Sequence, residues 1–372
     1  MYINLEQKDT EDTISTPIVQ QTSYWSKVKE HLGINSYAFD FSVRDRDIYE
    51  GVGGLSRTNS DLLLFREWVN SDEYVAYLPY GPEIEPSEGK HGEFLEELSE
   101  TLRPYLHDGC IAIRYDLGWE SHWCKPEDYD KGGRWLGLPS RESQEFKLNC
   151  TTANWNLHKA NTNRLPVNTI VVDLTGTEQQ ILMKMKPKTR YNIRLALRKG
   201  VDVQSVGPEG LDTWYELYSE TSSRNGLTLN DRNYFETVMA SRLEHDDPAV
   251  SLKLLVASYE GTPVAAMFLV LSAHRATYLY GASTVRNRNS MATYALQWKA
   301  MQLAKAHGCI EYDMFGIAPQ ADSSHPMYGL YRFKRGFGGQ IYHQLGCWDY
   351  PYDRERYKQL SAYEMSLQGY YK

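Results

Sequence analysis

Two distant stretches of this chain share one layout. LEELSETLRPYLHDGCIAIRYDL (95–117) and YALQWKAMQLAKAHGCIEYDMFGI (294–317) each carry apolar residues at helical spacing, stop at a His and Gly, and run through Cys-Ile into a short strand that meets an Asp, Asp116 or Asp313. A helix with one apolar face must bury it, and a sheet is the usual cover in a chain that alternates the two elements. Strand signals echo as well. EYVAYLPYGP (73–82) and LKLLVASYEGTPVAAMFLVLSAHRATYLYGAS (252–283) are rich in aromatic and β-branched residues, and EGTP reads as the turn of an antiparallel hairpin. The pattern predicts an α+β protein made of two copies of one unit, each a mainly antiparallel mixed sheet flanked by helices, with a cleft between. The expected division is 1–154 plus 347–372 for the first domain and 155–346 for the second.

A length of 372 residues suits two such domains, and 41% hydrophobic residues supply both cores. TIVVDLTG (169–176) reads as a buried strand opening the second half, and the polar, Gly- and Pro-punctuated segment 120–165 as a surface excursion. No apolar run approaches the ~20 residues of a membrane span. MYINLEQKDTEDTISTP has no basic start and no apolar stretch of a secretory leader. Cys110, Cys124, Cys150, Cys309 and Cys347 are scattered, without a C-x-x-C pair, as reduced thiols are. The expected location is the cytoplasm.

The charge is uneven. The chain carries −8 overall, yet KMKPKTRYNIRLALRKGV (184–201) holds Lys184, Lys186, Lys188, Arg190, Arg194, Arg198 and Lys199 without an acid. Thr177 caps one helix, Pro187 breaks it, and a second helix is predicted from about Lys188 to Lys199, stopped by Gly200. On it Arg190, Arg194 and Arg198 form a stripe, with Ile193 and Leu197 as an apolar stripe beside it. A solvated helix face is the bland reading of a charge run. Exposed structural helices interleave acids, however, and this one has none, which favours a phosphate-bearing ligand. No zinc finger, RNA-recognition or helix-turn-helix signature accompanies it, so DNA is not an expected partner.

Familiar catalytic motifs are missing. The sequence has no GxxxxGK[ST], no GxGxxG after a strand, no HExxH, no GxSxG and no metal-ligand spacing of Cys and His. The glycines of RGFGGQ (335–340) follow what reads as an aromatic and basic strand, a weak phosphate loop. Neither a metal nor a cofactor is expected.

At PKTRYNIRLALRKGV and LYRFKRGFGG the chain resembles the Fem family, tRNA-dependent aminoacyl transferases that extend the stem peptide of peptidoglycan precursors. SYWSKVKE (23–30), PYGP (79–82), IRYD (113–116), NGLTLNDRNYF (225–235), VASYEGTPVAAMFLV (256–270) and YLYGAS (278–283) match in order, so the resemblance runs from about residue 20 to 350. It implies two acetyltransferase-like (GNAT-like) domains, in a compact form without the family's coiled-coil arm. It implies Lys334, preceded by Phe333, as the cation that stabilises charge developing in aminoacyl transfer. Asp116 matches an acid considered as general base; the family's second candidate acid falls near Cys347, which cannot play that part. Lys29, Thr228, Tyr234 and Tyr280 match precursor-binding positions. A family arginine falls on Asn230, with Arg232 two residues on as its replacement. The basic helix, with Lys186, Lys188, Arg190, Arg194 and Arg198, is expected to meet the tRNA acceptor end or a phosphate.

The implied reaction takes an amino acid, Gly, Ala or Ser by family habit, from aminoacyl-tRNA to the side-chain amine of a UDP- or lipid-linked muramyl peptide. A lipid-linked acceptor would bring the chain to the surface of the inner membrane without crossing it. Two other readings stand beside this one. An acyl-CoA-dependent N-acyltransferase would need the R/Q-x-x-G-x-G/A pyrophosphate loop, and RKGVDV lacks its second glycine. A non-catalytic scaffold would bind muramyl peptide or tRNA without needing Lys334.

Overall fold

The computed structural model describes residues 1–121, 130, 136, 154–226, 230–244, 250–319 and 321–367. The chain divides into two compact units. The first holds Met1–Ile14, Gln20–Val167 and His343–Lys372; the second holds Ser15–Val19 and Asn168–Tyr342. The first unit thus runs on to Val167, past the expected boundary at 154/155. The short strand His158–Lys159 explains this, because it pairs with Trp348 and Asp349 of the same unit.

In the first unit, β1 (Ile3–Lys8), β2 (Ser36–Arg44), β3 (Arg57–Trp68) and β4 (Tyr74–Pro79) pair antiparallel in sequence order. The chain then crosses through helix His91–Leu102 to β5 (Cys110–Glu120), which lies parallel to β4. The helix buries Phe94, Leu95, Leu98 and Leu102 on one face, against Phe39, Phe41, Leu62 and Ile113 of the sheet. After β6 (His158–Lys159) the second unit begins with β7 (Asn168–Asp173). There β8 (Asp202–Val206), β9 (Val250–Tyr259), β10 (Thr262–Ser272) and β11 (Arg275–Ser283) again pair antiparallel in sequence order. Helix Ala292–Ala306 crosses to β12 (Glu311–Asp313), which lies parallel to β11.

The two helix-to-strand stretches are therefore the parallel crossovers of twin sheets. In each sheet a sixth strand closes the order antiparallel to the crossover strand: β7 beside β12, and β13 (Gln340–Pro351) beside β5. One copy takes that strand from before its meander and the other from after it. The hairpin turn falls where EGTP placed it, with Glu260 and Gly261 at positive φ between β9 and β10.

Helices α1 (Ser23–His31), α2 (His91–Leu102), α3 (Glu178–Lys184), α4 (Pro187–Arg198), α5 (Leu211–Asn225), α6 (Arg232–Glu244), α7 (Ala292–Ala306), α8 (Tyr328–Arg335) and α9 (Arg354–Ser366) flank the sheets. Thr177 and Gln180 form a reciprocal capping box on α3, and Pro187 opens α4 at a position where its missing N–H costs nothing. One expectation fails here. LYRFKR is the helix α8, not a strand. Its aromatic residues raise strand propensity, but burying Lys334, Phe337 and part of Tyr331 and Phe333 on one side takes helical spacing, and tertiary packing overrides the weak local preference.

In the first unit a buried ionic knot ties three elements. Arg114 on β5 grips Asp349 of β13 with two hydrogen bonds of 2.7 Å and reaches Glu364 of α9 at 2.7 and 3.0 Å. Tyr357 donates to the same Asp349 at 3.0 Å.

Candidate active site

The second unit assembles the most unusual chemical group. β12 pairs with β11 only as far as Asp313, opposite Thr277, while β11 runs on to Ser283. Phe315, at φ 60, turns the chain away just past that point. The gap where the two strands part receives Lys334 from α8. Its side chain is 4% exposed; Nζ donates to the carbonyl oxygens of Gly316 at 2.7 Å and Phe315 at 3.3 Å and lies 5.2 Å from the centre of the Tyr278 ring. Burying an ammonium disfavours its charged form, so the Lys334 pKa falls from 10.5 to about 7, with the charge of Asp313 opposing the fall.

Asp313 is itself fixed, accepting from the Thr169 hydroxyl and from the Phe315 amide at 2.8 Å. A protonated lysine has three N–H groups. Two point at backbone carbonyls here, and one remains beyond these two bonds.

Phe333 belongs to the packing that holds α8. Its ring meets Tyr294 at 5.0 Å and Phe337 at 5.2 Å, both edge-on. The following glycines serve close approach. A Cβ on Gly338, at φ 82, would stand 2.4 Å from the Lys184 carbonyl, and one on Gly339 would stand 2.5 Å from the Ile170 side chain.

A β-bulge decides what the tyrosines do. Phe268 pairs with Tyr280 but the next residue, Leu269, pairs with Tyr278, so β11 carries one extra residue. Tyr278 and Tyr280 would otherwise share a face; the bulge sends them to opposite ones. Tyr278 joins the core that includes Leu269 and the Lys334 gap. Tyr280 packs on Phe268 and Phe235, and its hydroxyl meets that of Tyr234 at 2.6 Å. Burial pushes the Tyr234 hydroxyl up to about 12, with the hydrogen bond to Tyr280 opposing the rise. The sequence singled out Tyr280 as a precursor-binding position and Lys334 as the catalytic cation, and gave no role to Tyr278, Asp313, Phe315 or Gly316, which surround Lys334. Asp313 stood out in the sequence only as the end of a repeated strand.

The neighbouring precursor positions are less convergent. Arg232 is engaged by Asp212 at 2.9 Å and Glu236 at 2.8 Å. Asn230 is exposed, with its amide 3.4 Å from the Tyr218 hydroxyl. Thr228 lies outside the described residues.

The basic helix α4 adjoins α8: the Lys186 amide donates to the Gly336 carbonyl at 2.9 Å. Its cations divide into two groups. Arg190 caps the end of α3, donating to the carbonyls of Met185 at 2.6 Å and Met183 at 3.2 Å, so the stripe's first arginine is structural. Lys184 pairs with Asp173, and Lys199 donates to the Asn289 carbonyl. Lys186, Lys188, Arg194 and Arg198 are exposed and meet no acceptor among the described residues. The inward face consists of Thr189, Asn192, Ile193 and Ala196, and Leu197, expected inside, faces solvent at 55% exposure. The helix turns about 100° per residue, which carries Leu197 off the buried arc that Ala196 occupies.

The first unit holds the remaining candidates. Asp116 is fully buried on β5 and accepts from the Tyr77 hydroxyl and the Leu165 amide, both at 3.0 Å; Cys347 stands opposite it in the sheet. Burial raises its pKa, and the hydrogen bonds oppose this. The arrangement fastens Leu165 to the sheet. Lys29 on α1 sits 5.9 Å from the centres of both the Trp25 and Phe65 rings, and burial lowers its pKa, with Glu67 offsetting part of the effect.

The model of the FemAB family matches residues 11–245 and 251–364. Among curated proteins, the chain is 22% identical over 249 residues to a lipid II:glycine glycyltransferase of Staphylococcus epidermidis strain RP62A, which covers 52% of this chain and 60% of that protein. The enzyme of the same name from Staphylococcus aureus strain USA300 is 22% identical over 264 residues, 54% of this chain and 63% of that one. The chain thus spans less than two thirds of the length of these relatives. Among solved structures, FemX superposes with a TM-score of 0.70 at 17% identity, covering 95% of this chain and 96% of that one. A tandem GNAT protein from the clavulanic acid biosynthesis pathway superposes with a TM-score of 0.50 at 11% identity, covering 94% and 98%. These likenesses show the fold: twin GNAT-like domains.

Proposed function

From the premise that this chain belongs to the FemAB family, we propose that it transfers an amino acid from the ester of an aminoacyl-tRNA to the side-chain amine of a peptidoglycan precursor stem peptide. The observation that carries the reading is Lys334, a buried amine with one N–H left over after its two carbonyl acceptors. The acceptor amine attacks the ester carbonyl carbon and forms the C–N bond, while the carbonyl electrons move to oxygen. The third N–H of Lys334 stabilises that oxyanion. Collapse then breaks the bond to the ribose oxygen, which takes up the proton that the amine gives off. The ester is already activated, so the chemistry requires no ATP, metal or redox cofactor, and positioning supplies most of the acceleration.

Glycine is the amino acid that the relatives' names favour, with alanine and serine as the other small donors, and a lipid-linked acceptor is favoured over the UDP-linked one. Lys29, Tyr234 and Tyr280 are proposed to meet the precursor. No helix among the described residues is long and apolar enough to cross a membrane. The reading places the protein on the cytoplasmic side, where charged tRNA and precursor are both present.

The test is incubation of the pure protein with a pool of charged tRNAs and either UDP-linked or lipid-linked muramyl pentapeptide, read by mass. A single added aminoacyl mass names donor and acceptor together. No addition to either acceptor would overturn the reading.

A further inference from the structure

The outward face of α4 is neither purely ionic nor purely polar. From Gln179 to Val201 the sequence contains no acid. Along this stretch Lys186, Lys188, Arg194 and Arg198 are exposed with no acceptor among the described residues. Tyr191 and Leu197 stand between them and Met183 just ahead of them, at 56, 55 and 59% exposure. Helical geometry orders them. Arg194 and Arg198 run down the middle of the exposed arc, Tyr191 flanks them on one side and Leu197 on the other. The Met183 carbonyl accepts from Arg190 at 3.2 Å, which ties the end of α3 to this helix. The resulting strip is roughly 18 Å long for a helix of this length.

We propose that this strip is a docking surface for an anionic lipid bilayer. Charge complementarity selects an anionic partner, because four exposed cations stand without a neighbouring acid among the described residues. The exposed apolar side chains then choose among anions. Leu197 and Met183 offer nothing to a phosphodiester backbone, whereas a bilayer interface takes Leu, Met and Tyr among its acyl chains and headgroups while arginine and lysine reach back to the phosphates. An interfacial helix of this kind lies flat, and α4 fits that role: its inward face is held by Ile193 and Ala196, and its start is fixed to Gly336. The inference rests on the proposed function only for its purpose, which is to bring the protein to a lipid-linked acceptor. Surface binding itself requires no substrate.

The test is therefore made without substrates. The full chain is floated with vesicles of phosphatidylcholine alone and of phosphatidylcholine with phosphatidylglycerol, at low and at physiological salt. The expected result is binding to the anionic vesicles only, weakened by salt. Replacing Tyr191→Ser and Leu197→Ser together should reduce vesicle affinity about tenfold or more, and each of Arg194→Gln and Arg198→Gln about fivefold. Both apolar positions are more than half exposed, so their replacement leaves the fold intact, which circular dichroism and urea denaturation verify. Binding of uncharged tRNA by the same variants is the second arm. The proposal is overturned if wild type ignores anionic vesicles. It is equally overturned if the Tyr191/Leu197 variant keeps full vesicle affinity, or if the arginine variants lose tRNA binding while vesicle binding is unchanged. Transfer to a soluble UDP-linked acceptor reports on the proposed reaction separately, so failure of one reading is distinguished from failure of the other.

Discussion

The ring of Tyr278 lies 5.2 Å beneath the Nζ of Lys334, on the face of the sheet opposite Tyr280. A buried ammonium is thereby held by two carbonyl oxygens and one aromatic face, with Asp313 as the nearby negative charge. The contact exists because a bulge turns one tyrosine of β11 under the lysine.

Removing the amine should abolish transfer without abolishing the fold. Lys334→Met keeps the volume and discards the oxyanion partner. A rate loss of about a hundredfold or more is expected, the size of a lost oxyanion donor. Single-turnover rates with saturating donor measure it, and a rate within a few-fold of wild type would refute the assignment.

The Lys334 pKa also ties stability to pH. In the folded chain it is depressed to about 7 from 10.5. Below about pH 7 both states hold the proton and the folded state bears the full cost of the buried charge. Between the two values the unfolded chain binds more protons, so stability rises with pH across that window. Urea denaturation of wild type between about pH 7 and pH 10 should show this rise, and Lys334→Met should flatten it. Transfer that depends on the ammonium should fall as pH rises through about 7.

Tyr278→Leu removes the ring face and Tyr278→Phe keeps it. A cation over an aromatic ring gains about 0.5–2 kcal/mol, so the leucine variant should move the falling limb of the pH–rate profile down by roughly one pH unit. The phenylalanine variant should leave it in place. Equal shifts in both variants would locate the effect in the hydroxyl instead.

The 2.6 Å bond between Tyr234 and Tyr280 predicts a coupled pair. Each Tyr→Phe change should cost about 1 kcal/mol, and the double variant little more than either single one. Additive losses in urea denaturation would show that the hydroxyls do not act together.

Arg114→Met should be among the most damaging changes in the first unit. It leaves Asp349 buried without its guanidinium partner and Glu364 with the more distant Arg164 at 3.9 Å, at an expected cost of about 3–5 kcal/mol. Denaturant midpoints with an unchanged slope would establish the loss as one of stability.

Much of this architecture was legible in the chain itself. The two helix-to-strand echoes gave the twin units, Thr177 marked the start of α3, Pro187 and Gly200 bounded the basic helix, and Glu260-Gly261 marked the hairpin. These are local signals, written in spacing and turn chemistry over a few residues. What Lys334 meets was not legible, because α8 reads as a strand until packing against Phe337 and Tyr294 fixes it as a helix. Nor was the separation of Tyr278 from Tyr280, since one extra residue in β11 changes faces only once β10 sets the register. Arg190 looked like its neighbours at Arg194 and Arg198 until the end of α3 came within its reach. The sequence by itself determined which elements form and in what order; the tertiary structure alone decided which side chains face the gap, the core or the solvent, because strand register and burial depend on residues far away in the chain.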